Sequence, residues 1–151
     1  MAPRNIIIDT DPGQDDAVAI LLALASPEDV HVLGITAVAG NVPLDLTQKN
    51  ARIICELAQK TDVPVFAGAK RPLERTLVTA EHVHGKTGLD GPTLPDTEMP
   101  LQDQHAVDFI IEPLRTEPAG TVTLCPLGPL TNIAAAFNQA PDIIERVKEV
   151  V

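Results

Sequence analysis

Aromatic residues are nearly missing from this chain of 151 residues, which holds three Phe, no Trp and no Tyr. Any core it builds must therefore be aliphatic, and with 44% hydrophobic residues there is enough material for one. Positive charge is also scarce: 11 Lys and Arg stand against 21 Asp and Glu, a net charge of −10. Such a balance argues against nucleic acid or an anionic membrane as partner, because neither accepts a like-charged protein without a basic patch. Only two cysteines occur, Cys55 and Cys125, both within apolar segments. They read as small buried hydrophobes and not as a disulfide framework, which places the expected location in a reducing cytoplasm. No apolar run reaches the length of a membrane span, and the opening Met1-Ala2-Pro3-Arg4-Asn5 does not read as a signal peptide. The length itself suggests one domain.

What is abundant is acid in one place. Ile6-Ile7-Ile8 reads as a strand buried on both faces, and within eight residues from its end come Asp9, Asp11, Asp15 and Asp16. Pro12-Gly13 supplies a turn, and Ala17 to Ala25 read as a helix apolar nearly all round, with Asp15 and Asp16 in its first turn. A single Asp in such a position is most simply a helix cap. Four together repel one another, and a divalent cation is the simplest compensation; all-oxygen ligands favour Ca²⁺ or Mg²⁺.

Further along, Val30 to Ala39 reads as a second strand ending at Gly40-Asn41. Residues 43–60 read as an amphipathic helix with Ala51, Ile54, Cys55 and Ala58 inward, and residues 63–68 as a short third strand. No pattern persists from 69 to 104, where prolines and glycines interrupt every candidate; so long a segment reads as a functional loop. Residues 103–117 read as a helix that Pro113 should kink or end, and residues 121–125 as a fourth strand. Pro129 suits the first turn of the helix that follows, Asp142 reads as a cap after Pro141, and Arg146 to Val151 as the start of another strand. Alternating strands and helices give an α/β fold: an open, mainly parallel sheet with helices on both faces. In such sheets ligands bind at the carboxyl ends of the strands, where Asp11 and Asn41 lie.

Four stretches carry a resemblance. Asp9 to Ala17 (DTDPGQDDA) resembles the opening signature of the inosine–uridine-preferring nucleoside hydrolases, DxDPGxDDA. Gly40-Asn41, the HGKTGLDG of residues 84–91 and the LGPLTNIA of residues 127–134 resemble further segments of that family. The resemblance implies a Rossmann-like nucleoside hydrolase core that cleaves the N-glycosidic bond of ribonucleosides. It implies Ca²⁺ held by Asp11, Asp16 and the Leu127 carbonyl, with a water on the cation as nucleophile and Asp11 as base. Asp15 would bind ribose hydroxyls, Asn41 would serve both substrate and catalysis, and His84 would lie near the nucleoside. Asp9 is expected behind them, orienting the turn. Family chains are considerably longer, so residues 1–151 are expected to be the N-terminal portion of a single domain, with 69–104 as its active-site loop and the C-terminal half absent. That half supplies a further metal ligand, so this chain alone is expected to bind metal weakly and hydrolyse little. A homo-oligomer and a role in purine or pyrimidine salvage are implied as well. Two other readings compete. Haloacid-dehalogenase-like Mg²⁺ phosphatases also open on DxD, though a hydrophobe and Thr should then follow in place of Pro12-Gly13. A non-catalytic metal- or ligand-binding α/β module is the other.

Overall fold

Consecutive side chains of a strand point to opposite faces, so three isoleucines in succession cannot share one core. In the computed structural model, which describes residues 2–151, Ile7 packs into one apolar cluster while Ile6 and Ile8 enter another. Both faces of this strand, β1 (Arg4–Thr10), are therefore covered. The remaining strands are β2 (Val30–Ala37), β3 (Val65–Ala67), β4 (Val122–Pro126) and β5 (Val147–Val150). They form one sheet in the order β3-β2-β1-β4-β5, and every pairing is parallel.

Helices α1 (Gln14–Leu24) and α2 (Leu44–Leu57) cover the Ile6–Ile8 face, burying Ile20, Leu24, Ala51 and Ile54 against Ile35 and Val65. The opposite face carries α4 (Ala106–Thr116) and α5 (Thr131–Gln139), where Phe109, Ile110, Leu114 and Ile133 meet Ile7, Val122 and Leu124. Phe66 and Phe109 stack with ring centroids 3.8 Å apart, so two of the three aromatic residues meet in this layer. This is the open parallel α/β sheet that the alternation of elements implies. Among the described residues no helix is long and apolar enough to cross a membrane.

Several local expectations need correction. The loop 69–104 is not without structure: it contains a one-turn helix, α3 (Glu81–His84), and a bridge between Phe66 and Gln102. Pro113 does not end α4, which runs on to Thr116, because burial of Phe109, Ile110 and Leu114 along one stripe outweighs the backbone donor lost at proline. Pro129 lies just before the Leu130 cap of α5 instead of within its first turn. Asp142 does not cap the 3₁₀ helix Pro141–Arg146; its carboxylate takes two hydrogen bonds from Arg115, at 2.9 and 2.8 Å. Cys55 is fully buried, whereas Cys125 is only half-buried.

Chain direction reverses its march across the sheet between β1 and β4: β2 and β3 are added on one side of β1, then β4 and β5 on the other. Parallel sheets leave a crevice at the carboxyl ends of two such strands, since their connections leave in opposite directions. The tip of β1 at that crevice is Asp9-Thr10-Asp11, and the tip of β4 is Pro126-Leu127-Gly128.

Candidate active site

Asp9 stands at the base of the crevice, 1% exposed. Its Oδ1 accepts from the Thr36 hydroxyl of β2 at 2.6 Å and from the Asn132 amide of α5 at 2.8 Å. Its Oδ2 is buried with no hydrogen-bond partner. Burial pushes its carboxyl up from 3.8 to about 6; the bonds from Thr36 and Asn132 pull the other way, and the nearby Asp11 adds to the rise. Asn132 is itself fully buried and ties three segments together: besides Asp9 it donates to the Ala37 carbonyl at 3.1 Å and accepts from the Ala69 amide at 2.8 Å. The Asp9 carbonyl accepts the Leu127 amide at 2.7 Å, which locks the end of β4 to the end of β1.

Asp11 lies two residues further out, still 5% exposed. Its Oδ2 accepts the Asn41 amide at 2.7 Å, and the Asn41 side chain donates to the Asp11 carbonyl at 3.0 Å. Asn41, at the exit of β2, thus holds Asp11 by both its carboxylate and its backbone carbonyl. Burial raises the Asp11 carboxyl from 3.8 to about 6; the Asn41 amide opposes this, Asp16 adds to it, and His84 lowers it. Two glycines leave the space that this carboxylate occupies. A Cβ at Gly40 would overlap Asp11 Oδ2, and a Cβ at Gly128 would overlap Oδ1.

Asp16 is held by its own turn. Its Oδ1 accepts the Thr10 hydroxyl at 2.8 Å and its Oδ2 the Gly13 amide at 3.2 Å, so it caps α1 from the third helical position. Burial raises its carboxyl as well. Asp15 beside it is exposed, at the same helix N-terminus. His84 is half-buried and its Nδ1 lies 2.7 Å from the Gln14 side-chain oxygen; the imidazole sits where a Cβ on Gly13 would fall, next to the Asn41 amide. Leu127 exposes its side chain and keeps its backbone at the β4 exit. The loop, the two strand tips and the α1 turn therefore bring Asp11, Asp16, Asn41 and His84 to one end of the sheet. Sequence patterns do not single out Thr36, Asn132, Asn50 or Gln14, whose roles arise from contacts across the fold.

Whether a cation suits these residues can be asked of their oxygens. No three Asp, Glu, His or Cys side chains cluster to hold a metal among the described residues. Any ion here must draw on backbone or outside ligands as well as Asp11 and Asp16. Both carboxylates keep acceptor capacity beyond the hydrogen bonds they make. Glycines at 40 and 128 make room for the Asp11 carboxylate itself, and Asp11 and Asp16 offer carboxylate oxygen, the donor type that Ca²⁺ takes. The residues fit.

Three buried acids with raised proton affinity fix a pH response. Between the ordinary value of 3.8 and about 6, the folded chain binds protons at Asp9 and Asp11 that the unfolded chain has released. Their contribution to stability is complete below the unfolded value and disappears as pH rises through about 6. Thermal melts in a chelator should therefore show the metal-free chain melting higher at about pH 5 than at about pH 7.5. A midpoint that is flat or rises over that interval would contradict this electrostatic account of the site.

Comparison with known proteins gives a consistent result. The sequence profile described as inosine-uridine preferring nucleoside hydrolase matches residues 6–151. An uncharacterized protein of Schizosaccharomyces pombe is 54% identical over 147 residues, covering 97% of this chain and 47% of that protein. The inosine-uridine preferring nucleoside hydrolase of Leishmania major is 46% identical over 150 residues, covering 99% of this chain and 48% of its own length. Among solved structures, a purine-preferring ribonucleoside hydrolase from Gardnerella vaginalis superposes with a TM-score of 0.91 at 34% identity, covering 98% of this chain and 48% of that one. The chain spans about half the length of the curated relatives it matches.

Proposed function

Because the chain belongs to the inosine–uridine preferring nucleoside hydrolase family, we propose that its crevice is the metal- and ribose-binding part of a ribonucleoside hydrolase site. The observation that carries this reading is the β1 tip: a buried Asp11 between Gly40 and Gly128, with Asp16 and Asn41 around it.

In this proposal Ca²⁺ is held by Asp11, Asp16 and the Leu127 carbonyl, and when bound it supplies positive charge that acidifies a neighbouring water. Asp11 would serve as the base, taking a proton from the water whose oxygen attacks the anomeric carbon. The bond from ribose to base breaks with the electron pair leaving on the base, through an oxocarbenium-like state that surrounding carboxylates stabilise. Asp15, exposed at the N-terminus of α1, accepts hydrogen bonds from ribose hydroxyls and keeps the anomeric carbon facing the water. Asn41 fixes Asp11 through its backbone amide and offers its side chain to the substrate. His84 contributes from the loop. Residues 69–104 act as the active-site loop of a domain of which residues 1–151 form the N-terminal portion. The phosphatase alternative has lost its footing, since a nucleoside hydrolase profile spans nearly the whole chain.

Calorimetric titration with Ca²⁺, with and without ribose, tests the reading. Binding should be weak, about 10⁻⁴–10⁻³ M, tightened by ribose and abolished by Asp16→Asn. Release of base from inosine or uridine by this chain alone should be slow. Undiminished Ca²⁺ binding by Asp16→Asn, or turnover of an aryl phosphate, would remove the assignment.

A further inference from the structure

Gln14 occupies the one position inside the acidic turn that carries neither charge nor burial, yet its amide makes three contacts with the loop. Its Nε2 donates to the His84 carbonyl at 3.3 Å and to the Asp90 carbonyl at 3.2 Å, and its Oε1 lies 2.7 Å from His84 Nδ1. Those two carbonyls belong to opposite ends of a closed turn, in which the Asp90 amide donates back to the His84 carbonyl at 3.3 Å. The Asp90 carboxylate in turn accepts from the amides of Lys86 and Thr87 and from the Thr87 hydroxyl. Gln14 thus reaches across the mouth of an independently braced turn.

The chemistry of the amide settles its orientation. Backbone carbonyls only accept, so the side of Gln14 facing them must be its NH₂ group, and its oxygen must face the imidazole. An amide oxygen cannot donate, so the proton shared with Nδ1 has to come from the histidine. We propose that Gln14 is a positioning residue that holds His84 as the Nδ1–H tautomer, leaving Nε2 as the imidazole's only acceptor beside the site. The tautomer of a histidine is set by the partner of its other nitrogen, and here that partner is supplied from the first turn of α1. A second amide supports the same docking from beneath: buried Asn50 donates to the Pro12 carbonyl at 3.2 Å and the Thr87 carbonyl at 2.8 Å. Asn50 therefore fixes where the loop sits, and Gln14 fixes what the histidine can do there.

The consequence for nucleoside cleavage rests on the proposed role of His84, but the tautomer itself does not depend on turnover. Long-range ¹H–¹⁵N spectra of the whole chain, recorded at alkaline pH where ordinary imidazoles are neutral, read it directly. His84 should show a protonated Nδ1 and a bare Nε2, and Gln14→Met should shift it to a mixture of both tautomers. His31, whose Nδ1 lies 3.0 Å from Asn5 Oδ1 at the opposite end of the sheet, should be unchanged and so report an intact fold. A His84 protonated on Nε2 in the unsubstituted chain would overturn the proposal, as would an Nδ1–H form that Gln14→Met leaves untouched. A chain that shows the expected signature but keeps undiminished Ca²⁺ binding in Asp16→Asn would count against the hydrolase reading only.

Discussion

Asp11→Asn should make the metal-free chain more stable and at the same time blind to Ca²⁺. The direction is unusual, since most substitutions of buried polar residues destabilise. Asp11 is buried and made acidic only with difficulty, its carboxyl being pushed up to about 6, so at neutral pH the folded state holds a charge it disfavours. The amide has nearly the same shape, still accepts the Asn41 amide through its oxygen, and carries no charge to repel Asp16 or Asp9. A shift of this kind, discounted for screening at the edge of the sheet, corresponds to about 1–2 kcal/mol. For a domain of this size that is roughly 3–6 °C in melting temperature. Ca²⁺ should then raise the midpoint of the parent chain and leave that of Asp11→Asn where it is. A substituted chain that melts lower than its parent in chelator would show that the carboxylate is satisfied without a cation, and the metal assignment would lose its physical basis.

The largest loss of stability is expected at Asn132, a residue that touches no solvent. Replacing it with Leu keeps the branched shape but removes the partner of the Ala69 amide, leaves the Ala37 carbonyl with the Gly68 amide alone, and strips Asp9 Oδ1 of one of its two side-chain donors. Asp9 Oδ2 already lacks a partner, so the carboxylate becomes harder to keep buried. Removing one donor from a buried carboxylate and orphaning one backbone amide costs about 2–4 kcal/mol. Urea unfolding should register a fall of that order in unfolding free energy. Asn132→Asp should be worse at neutral pH, where it sets a second carboxylate against Asp9, and should recover in part in mild acid as the pair takes up a proton. A cost below about 1 kcal/mol for Asn132→Leu would mean that the junction relaxes around the defect.

The parts of the fold that follow from local pattern are the ones visible in the sequence. The β1 isoleucines, the β-branched run of β2 and the apolar stripe of α2 each carry a period that only one kind of element satisfies. The acid cluster was equally visible, because charge repulsion among neighbours in sequence needs no tertiary contact to be noticed. What escaped detection depends on residues distant in the chain. Thr36 matters because β2 pairs in register with Asp9, and Gln14 because a loop seventy residues away returns to it. Nothing in the composition around either residue marks it. The one-turn helix α3 was hidden by its length, and the continuation of α4 through Pro113 by packing that overrides propensity.

The hydrogen bond from Asn132 to Asp9 joins residues 123 positions apart, while the Asn41 grip on Asp11 spans 30. Local helices can form within microseconds, but contacts that enclose most of a chain arrive after the long loop between them has closed. The capacity to take up a cation should accordingly appear late in refolding, after most of the helical circular dichroism has returned. Ca²⁺ would then act as a marker of finished chain topology, stabilising the last interaction to form instead of seeding the first.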